Sequence, residues 1–143
     1  MEVVDDYAHH PTEVAATIAA ARATFPGRRL VVAFQPHLYS RTRDFAAGFA
    51  DALAAADATF LTALYPSREQ PVAGVSSALI ADRMSAAGRT PQWRGTRDAA
   101  AEALAAFVRE GDVVLTMGAG DITRTGPELL QLLTLFRRQR VHQ

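Results

Sequence analysis

The uninterrupted apolar run Leu30-Val31-Val32-Ala33-Phe34 constrains this chain more than any other feature. A strand with one wet face alternates polar and apolar residues, whereas a strand with no polar position is covered on both faces. Such a strand needs helices above and below it, so the question is whether the rest of the sequence supplies them.

It does. The pattern predicts a short strand at Val3-Val4, then a helix opening at Pro11 and ending near Phe25-Pro26-Gly27. Proline suits a first helical turn because its missing N–H has no partner there anyway. After the 30–34 strand come a polar loop over 35–43 and a helix with Phe45, Phe49, Ala52, Leu53 and Ala56 on one face. A strand over 58–62, a loop over 65–71 and a helix over 76–87 follow. A short strand at Gln92-Trp93 leads to a helix over 98–110, a strand over 113–117, a turn over 118–121 and a closing helix over 127–136. Fraying is expected for the polar tail 137–143. Strands alternating with helices predict one α/β domain over 1–143: three layers, a mostly parallel sheet with helices on both faces, Rossmann-like.

Composition narrows the chemistry. All 15 basic residues are arginine, so lysine chemistry is excluded: no phosphate-loop lysine, no Schiff base, no lysine general base. There is no cysteine, which excludes disulfides, thiolate nucleophiles and cysteine metal sites. The net charge of zero gives no global pull toward nucleic acid or anionic membrane. The acidic start (Glu2, Asp5, Asp6) is not a signal peptide, and no apolar stretch spans a bilayer. A cytoplasmic protein is expected. A chain opening on a two-valine stub is also expected to be part of something longer.

Ligands of open α/β sheets sit beyond the carboxyl ends of the strands. The polar segments 5–11, 35–43, 65–70 and 118–121 each follow a predicted strand and should gather on that edge. Asp6 and Tyr7 offer a carboxylate for ribose hydroxyls and a ring for stacking, with Asp6 or His10 alternatively capping the helix at Pro11. Arg41, in a loop with His37 and Tyr39, is a fork for a carboxylate or phosphate. Arg43 is expected to be solvated or paired with Asp44. Gly118-Ala119-Gly120 resembles the start of a dinucleotide fingerprint, but Thr123 stands where the third glycine belongs. That turn suits a backbone lying close to a small ligand, and Asp121 either caps the last helix or faces the ligand. No metal site is expected, although His9, His10, His37 and Asp121 would serve a metal-dependent hydrolase if they converged. A second rival is a stand-alone α/β module that binds a carboxylate or phosphate and catalyses nothing.

Three stretches taken together carry a resemblance: 5–13 (DDYAHHPTE), 34–43 (FQPHLYSRTR) and 116–122 (TMGAGDI). Over essentially the whole chain the sequence resembles the C-terminal domain of the Mur ligases, and within them those that join L-alanine to UDP-N-acetylmuramate. The resemblance implies three domains in the full enzyme, of which this is the third. The others would hold the UDP-sugar and, with magnesium, the ATP phosphates. It implies that His37 and Arg41 hold L-alanine, with Tyr7, Gly118, Ala119, Gly120 and Asp121 around it. Asp6, Tyr7 and His10 would contact the nucleotide. Some relatives carry a basic residue where Leu38 stands, so any carboxylate contact from there is lost. No residue here is expected to be catalytic in itself, and the domain alone is expected to be inactive. The loop at 5–11 is expected to be mobile.

Overall fold

The computed structural model describes residues 1–141. Five strands form one parallel sheet: β1 (Glu2–Asp6), β2 (Leu30–Phe34), β3 (Ala58–Thr62), β4 (Trp93–Gly95) and β5 (Val113–Met117), in the order β1-β5-β2-β3-β4. Five helices connect and close it: α1 (Pro11–Thr24), α2 (Tyr39–Leu53), α3 (Ala78–Ala86), α4 (Arg97–Phe107) and α5 (Thr125–Val141). A single 3-10 turn, Asp121–Arg124, leads into α5.

The apolar strands behave as their composition requires. All residues of β2 and β5 are buried, and successive side chains enter opposite layers. Leu30, Val32, Phe34, Leu115 and Met117 pack with Val14 and Ile18 of α1, Phe49 and Leu53 of α2, and Ile80 and Met84 of α3. Val31, Ala33 and Val114 pack on the other side with Leu104 of α4, Ile122 and Leu129. Helices α1 to α3 therefore cover one face and α4 and α5 the other. Trp93 joins the second layer, its ring 5.9 Å from that of Phe60.

This arrangement sets the place of the site. After β2 the chain leaves into α2 on one face, and after the neighbouring strand β5 it leaves into α5 on the other. The connections part there, and the carboxyl ends of β2 and β5 are where a ligand crevice is expected in such a sheet.

Several boundaries differ from the sequence reading for physical reasons. Strand β1 continues through Asp5 and Asp6, because Asp5 finds hydroxyl donors beside it, Thr116 Oγ1 at 2.6 Å and Thr123 Oγ1 at 2.8 Å. Helix α2 begins at Tyr39 rather than after the polar loop, and residues 39–44 form a turn that meets the rest of the helix at a kink at Phe45. Helix α4 stops at Phe107 because Val108 is extended. Helix α5 starts at Thr125 and takes in residues 137–141 of the tail expected to fray, with Arg138 and Arg140 favourably placed at the negative end of its dipole. Residues 142–143 of that tail lie outside the described residues.

The amino-terminal edge of the sheet is closed by a buried ion pair. Asp112, 3% exposed, accepts from Arg29 Nε at 2.9 Å and from the amide of Arg109 at 2.8 Å, and its other contact with Arg29 Nη2 is 2.6 Å. Burial works to raise the Asp112 carboxyl, but the Arg29 and Arg109 hydrogen bonds outweigh it and hold it below the usual carboxylate range. A carboxylate so depressed stabilises the fold above its unfolded pKa, and that contribution disappears as pH falls through the folded one. Asp112→Ala should cost about 2–4 kcal/mol in urea unfolding at neutral pH, because it leaves Arg29 half-buried without its partner. The cost should shrink as the pH falls below the usual carboxylate range. A loss below about 1 kcal/mol at neutral pH would contradict this role.

Candidate functional site

The crevice is built around Gln35, the first residue beyond β2, which is 2% exposed. Its backbone amide donates to Met117 O of β5 at 3.0 Å. Its side chain donates from Nε2 to Asp121 Oδ1 at 2.7 Å and accepts at Oε1 from the amide of Ile122 at 3.1 Å. One buried amide thus pins the end of β2 to the turn after β5. That turn needs its glycines: Gly118 has φ +150°, and a Cβ there would lie 2.9 Å from Gln35 O. A Cβ on Gly120 would lie 2.6 Å from Tyr65 Cγ and 2.7 Å from Gln35 Oε1.

His37 and Arg41 meet on one side of this crevice. Arg41 is on the first turn of α2, four residues beyond His37, and its Nη1 lies 3.1 Å from His37 Nδ1. A guanidinium can only donate, so Nδ1 accepts and the neutral ring carries its proton on Nε2. Burial, then the charge of Arg41 and the neighbouring His9, pushes the His37 imidazole below the ordinary histidine value, against a smaller opposing effect of Glu69. The turn that presents Arg41 is held from outside. Leu38 takes a left-handed φ of 72° where the chain enters the helix. Glu69, on the loop after β3, then accepts from the amide of Ser40 at 3.2 Å and from its hydroxyl at 2.5 Å. These bonds satisfy donors the α2 amino terminus would otherwise leave orphaned.

The loop after β3 also supplies Tyr65. Its backbone pairs with this segment, Tyr65 N donating to Pro36 O at 2.8 Å and Leu38 N to Tyr65 O at 2.9 Å. Its ring lies nearly parallel to that of His37, with the planes 18° apart and the centroids at 6.0 Å.

The loop after β1 stands over the mouth. Asp6 spends Oδ1 on the amide of Ala8 at 2.8 Å, and the Tyr7 side chain is open, the residue being 69% exposed. His9 Nδ1 donates to Tyr7 O at 2.9 Å, and the His9 ring approaches that of His37 at 6.1 Å. His10 is the helix cap: its Nδ1 accepts from Thr12 N at 3.3 Å, Glu13 returns a bond to the His10 amide, and its ring rests on Phe45 at 4.9 Å. A loop read as mobile is therefore tied down at several points.

Asp121 does not cap the last helix. It is held between Gln35 and Arg97, whose Nε lies 3.6 Å from Asp121 Oδ2 and which also pairs with Asp98 and Glu128. Arg43 pairs with Asp44 at 3.0 Å, as expected of a solvated residue. Among the described residues no three histidine or carboxylate side chains gather closely enough to hold a metal ion.

The site thus unites His37, Arg41 and Gly118–Asp121, with Asp6 and Tyr7 at its rim. The sequence reading missed Gln35, Tyr65, Glu69 and Arg97. The first three lie on segments it had flagged, but nothing in residue type marks a glutamine or tyrosine as a brace. Arg97 follows a strand too short to draw attention.

The family described as "Mur ligase, glutamate ligase domain" matches residues 1–120. The chain belongs to the Mur ligase family. Among curated relatives, the UDP-N-acetylmuramate–L-alanine ligases of Cutibacterium acnes and Kineococcus radiotolerans are 49% and 53% identical to it, each over 93% of this chain. The chain spans 28% of the length of either relative. Among solved structures, UDP-N-acetylmuramate-alanine ligase from Thermotoga maritima superposes with a TM-score of 0.71 at 28% identity, over 92% of this chain and 26% of that one. The Mur ligase domain described here therefore has the expected fold. No helix among its described residues is long and apolar enough to cross a membrane.

The depressed His37 gives a direct test. In an NMR titration, its imidazole should change protonation below the ordinary value of about 6.5. In Arg41→Ala the midpoint should move up toward that value, since the neighbouring charge is gone. A midpoint at or above 6.5 in the unaltered protein would contradict the geometry. By linkage, whatever stability the neutral ring contributes is present above its unfolded pKa and is lost as pH falls through the folded one.

Proposed function

We propose that this domain serves an ATP-dependent ligase that joins L-alanine to UDP-N-acetylmuramate in peptidoglycan precursor synthesis. It would present the amino acid and touch the nucleotide. The observation that carries the reading is the His37–Arg41 pair just beyond β2, with the Gly118–Asp121 turn pinned by Gln35 to the same strand end. The identity of about half to relatives bearing that name supports it.

In the proposed reaction the γ-phosphoryl group of ATP passes to the carboxylate of the sugar nucleotide. The amine of L-alanine then attacks the acyl phosphate, an amide forms, and phosphate leaves with the electrons of the broken C–O bond and the proton shed by the amine. Arg41 would hold the alanine carboxylate through charge-assisted hydrogen bonds. His37, neutral with its proton on Nε2, would be a donor toward the same pocket, and so it is not the base that takes the amine's proton. The turn's glycines let its backbone pack closely on Gln35 and Tyr65, which would hold the turn beside the amino acid. Asp6 would accept from a ribose hydroxyl with its outer oxygen, while Tyr7 would lie beside the nucleotide and His10 would act by fixing the loop they share. Holding amine and acyl phosphate together supplies much of the rate, and closure over the site keeps water from the acyl phosphate.

Magnesium and the phosphates do not fit this donor set. Asp5 is occupied by two threonine hydroxyls and Asp121 by Gln35 and Arg97, and the chain has no lysine. These groups would be held by other domains, as would UDP-N-acetylmuramate, in the cytoplasm where ATP is available.

In the full-length ligase, Arg41→Ala should raise KM for L-alanine by about 10- to 100-fold, the worth of a charge-assisted hydrogen bond. KM for ATP should change by no more than about 3-fold. Steady-state kinetics with each substrate varied in turn checks this, and equal increases in both would contradict the assignment.

A further inference from the structure

Tyr65 lies against both sides of the candidate site. One is the His37–Arg41 side, where the Tyr65 ring lies nearly parallel to the His37 imidazole at 6.0 Å. The other is the turn after β5, where even a methyl group on Gly120 would fall 2.6 Å from Tyr65 Cγ and 2.9 Å from its Cδ1. Its backbone is held at both ends, to Pro36 O and Leu38 N, in the parallel bridge between His37 and Tyr65, and its half-buried ring lies against His37 and Gly120. Gly120, in turn, is fixed by the Gln35–Asp121–Ile122 bonds beside it. An amino acid whose carboxylate is held at Arg41 therefore has an aromatic ring, packed to contact on Gly120, beside it.

We propose that Tyr65 is the residue that limits the size of the amino-acid side chain the ligase accepts. The proposal rests on the reading above that the crevice holds the amino acid. On this proposal a methyl group fits beside the ring, and each added methylene must displace Tyr65 against its contacts with Gly120 and His37. Steric exclusion by a rigid wall is a stronger filter than loss of contact in a loose apolar pocket.

The test compares full-length wild-type, Tyr65→Ala and Tyr65→Phe ligases with L-alanine, L-2-aminobutyrate and L-valine at saturating ATP and UDP-N-acetylmuramate. Tyr65→Ala should lower kcat/KM for L-alanine and raise the valine-to-alanine ratio of kcat/KM by at least about 10-fold, the scale of one or two methylenes. Tyr65→Phe, which keeps the ring, should keep the wild-type ratio. KM for ATP should stay within about 3-fold in both, a result that a merely unfolded or loosened domain would not give. Proportional losses for all three amino acids in Tyr65→Ala, with the ratio unchanged, would overturn the proposal and leave the alanine-ligase reading standing. A wild-type enzyme that turns over none of these amino acids would overturn both.

Discussion

The carboxamide of Gln35 lies where the sheet divides. Helices leave β2 and β5 on opposite faces, so the layers part at the carboxyl ends of these two neighbouring central strands. A buried amide must satisfy both its donor and its acceptor, since an unpaired polar group in the interior costs about 1–3 kcal/mol. Gln35 does so by giving to Asp121 and taking from Ile122, and the turn after β5 is thereby fixed against the end of β2. The rest of the site is built against that bond pair. Gly120 is pressed to contact with Tyr65, Tyr65 lies beside His37, and His37 receives Arg41.

The electrostatics of the site follow from the same packing. Glu69 occupies the amino terminus of α2, so the helix end is satisfied internally and Arg41, bonded to His37, has no carboxylate partner among the described residues. Burial and Arg41 together keep His37 neutral, which makes it a donor of fixed direction rather than a second charge. Asp121, the obvious carboxylate of the turn, is neutralised by Arg97 and tethered by Gln35. What remains is one guanidinium and one neutral imidazole beside the backbone of the turn. Such a set orients an amino acid through its carboxylate and contributes little acid–base chemistry of its own, which suits a domain that presents a nucleophile to a reaction centred elsewhere.

Much of this was legible in the sequence because the governing constraints are local. An apolar run such as Leu30–Phe34 permits few environments, and the polar segments after strands must gather at one edge. The three motifs that carry the family resemblance lie in those segments. The remainder depended on contacts distant in sequence. Asp5 reads as loop until Thr116 and Thr123 are brought beside it. The first turn of α2 reads as loop because its cap, Glu69, is supplied by the segment after β3. His10 shows the converse: beside His9 it suggests a metal ligand, yet its ring caps α1, a role that needs only Thr12 and Glu13 nearby. Tyr65 carries no signal in its own neighbourhood, since its partners His37 and Gly120 lie on two other loops.

The account stands or falls on where the amino acid lies. A crystal structure of the full-length ligase with L-alanine and a non-hydrolysable ATP analogue measures this directly. The account predicts alanine in the crevice between β2 and β5, its carboxylate within hydrogen-bond distance of Arg41 and its methyl group against the Tyr65 ring, with Gln35 still joined to Asp121. Alanine bound outside the crevice, or in it with its carboxylate turned away from Arg41, would contradict it.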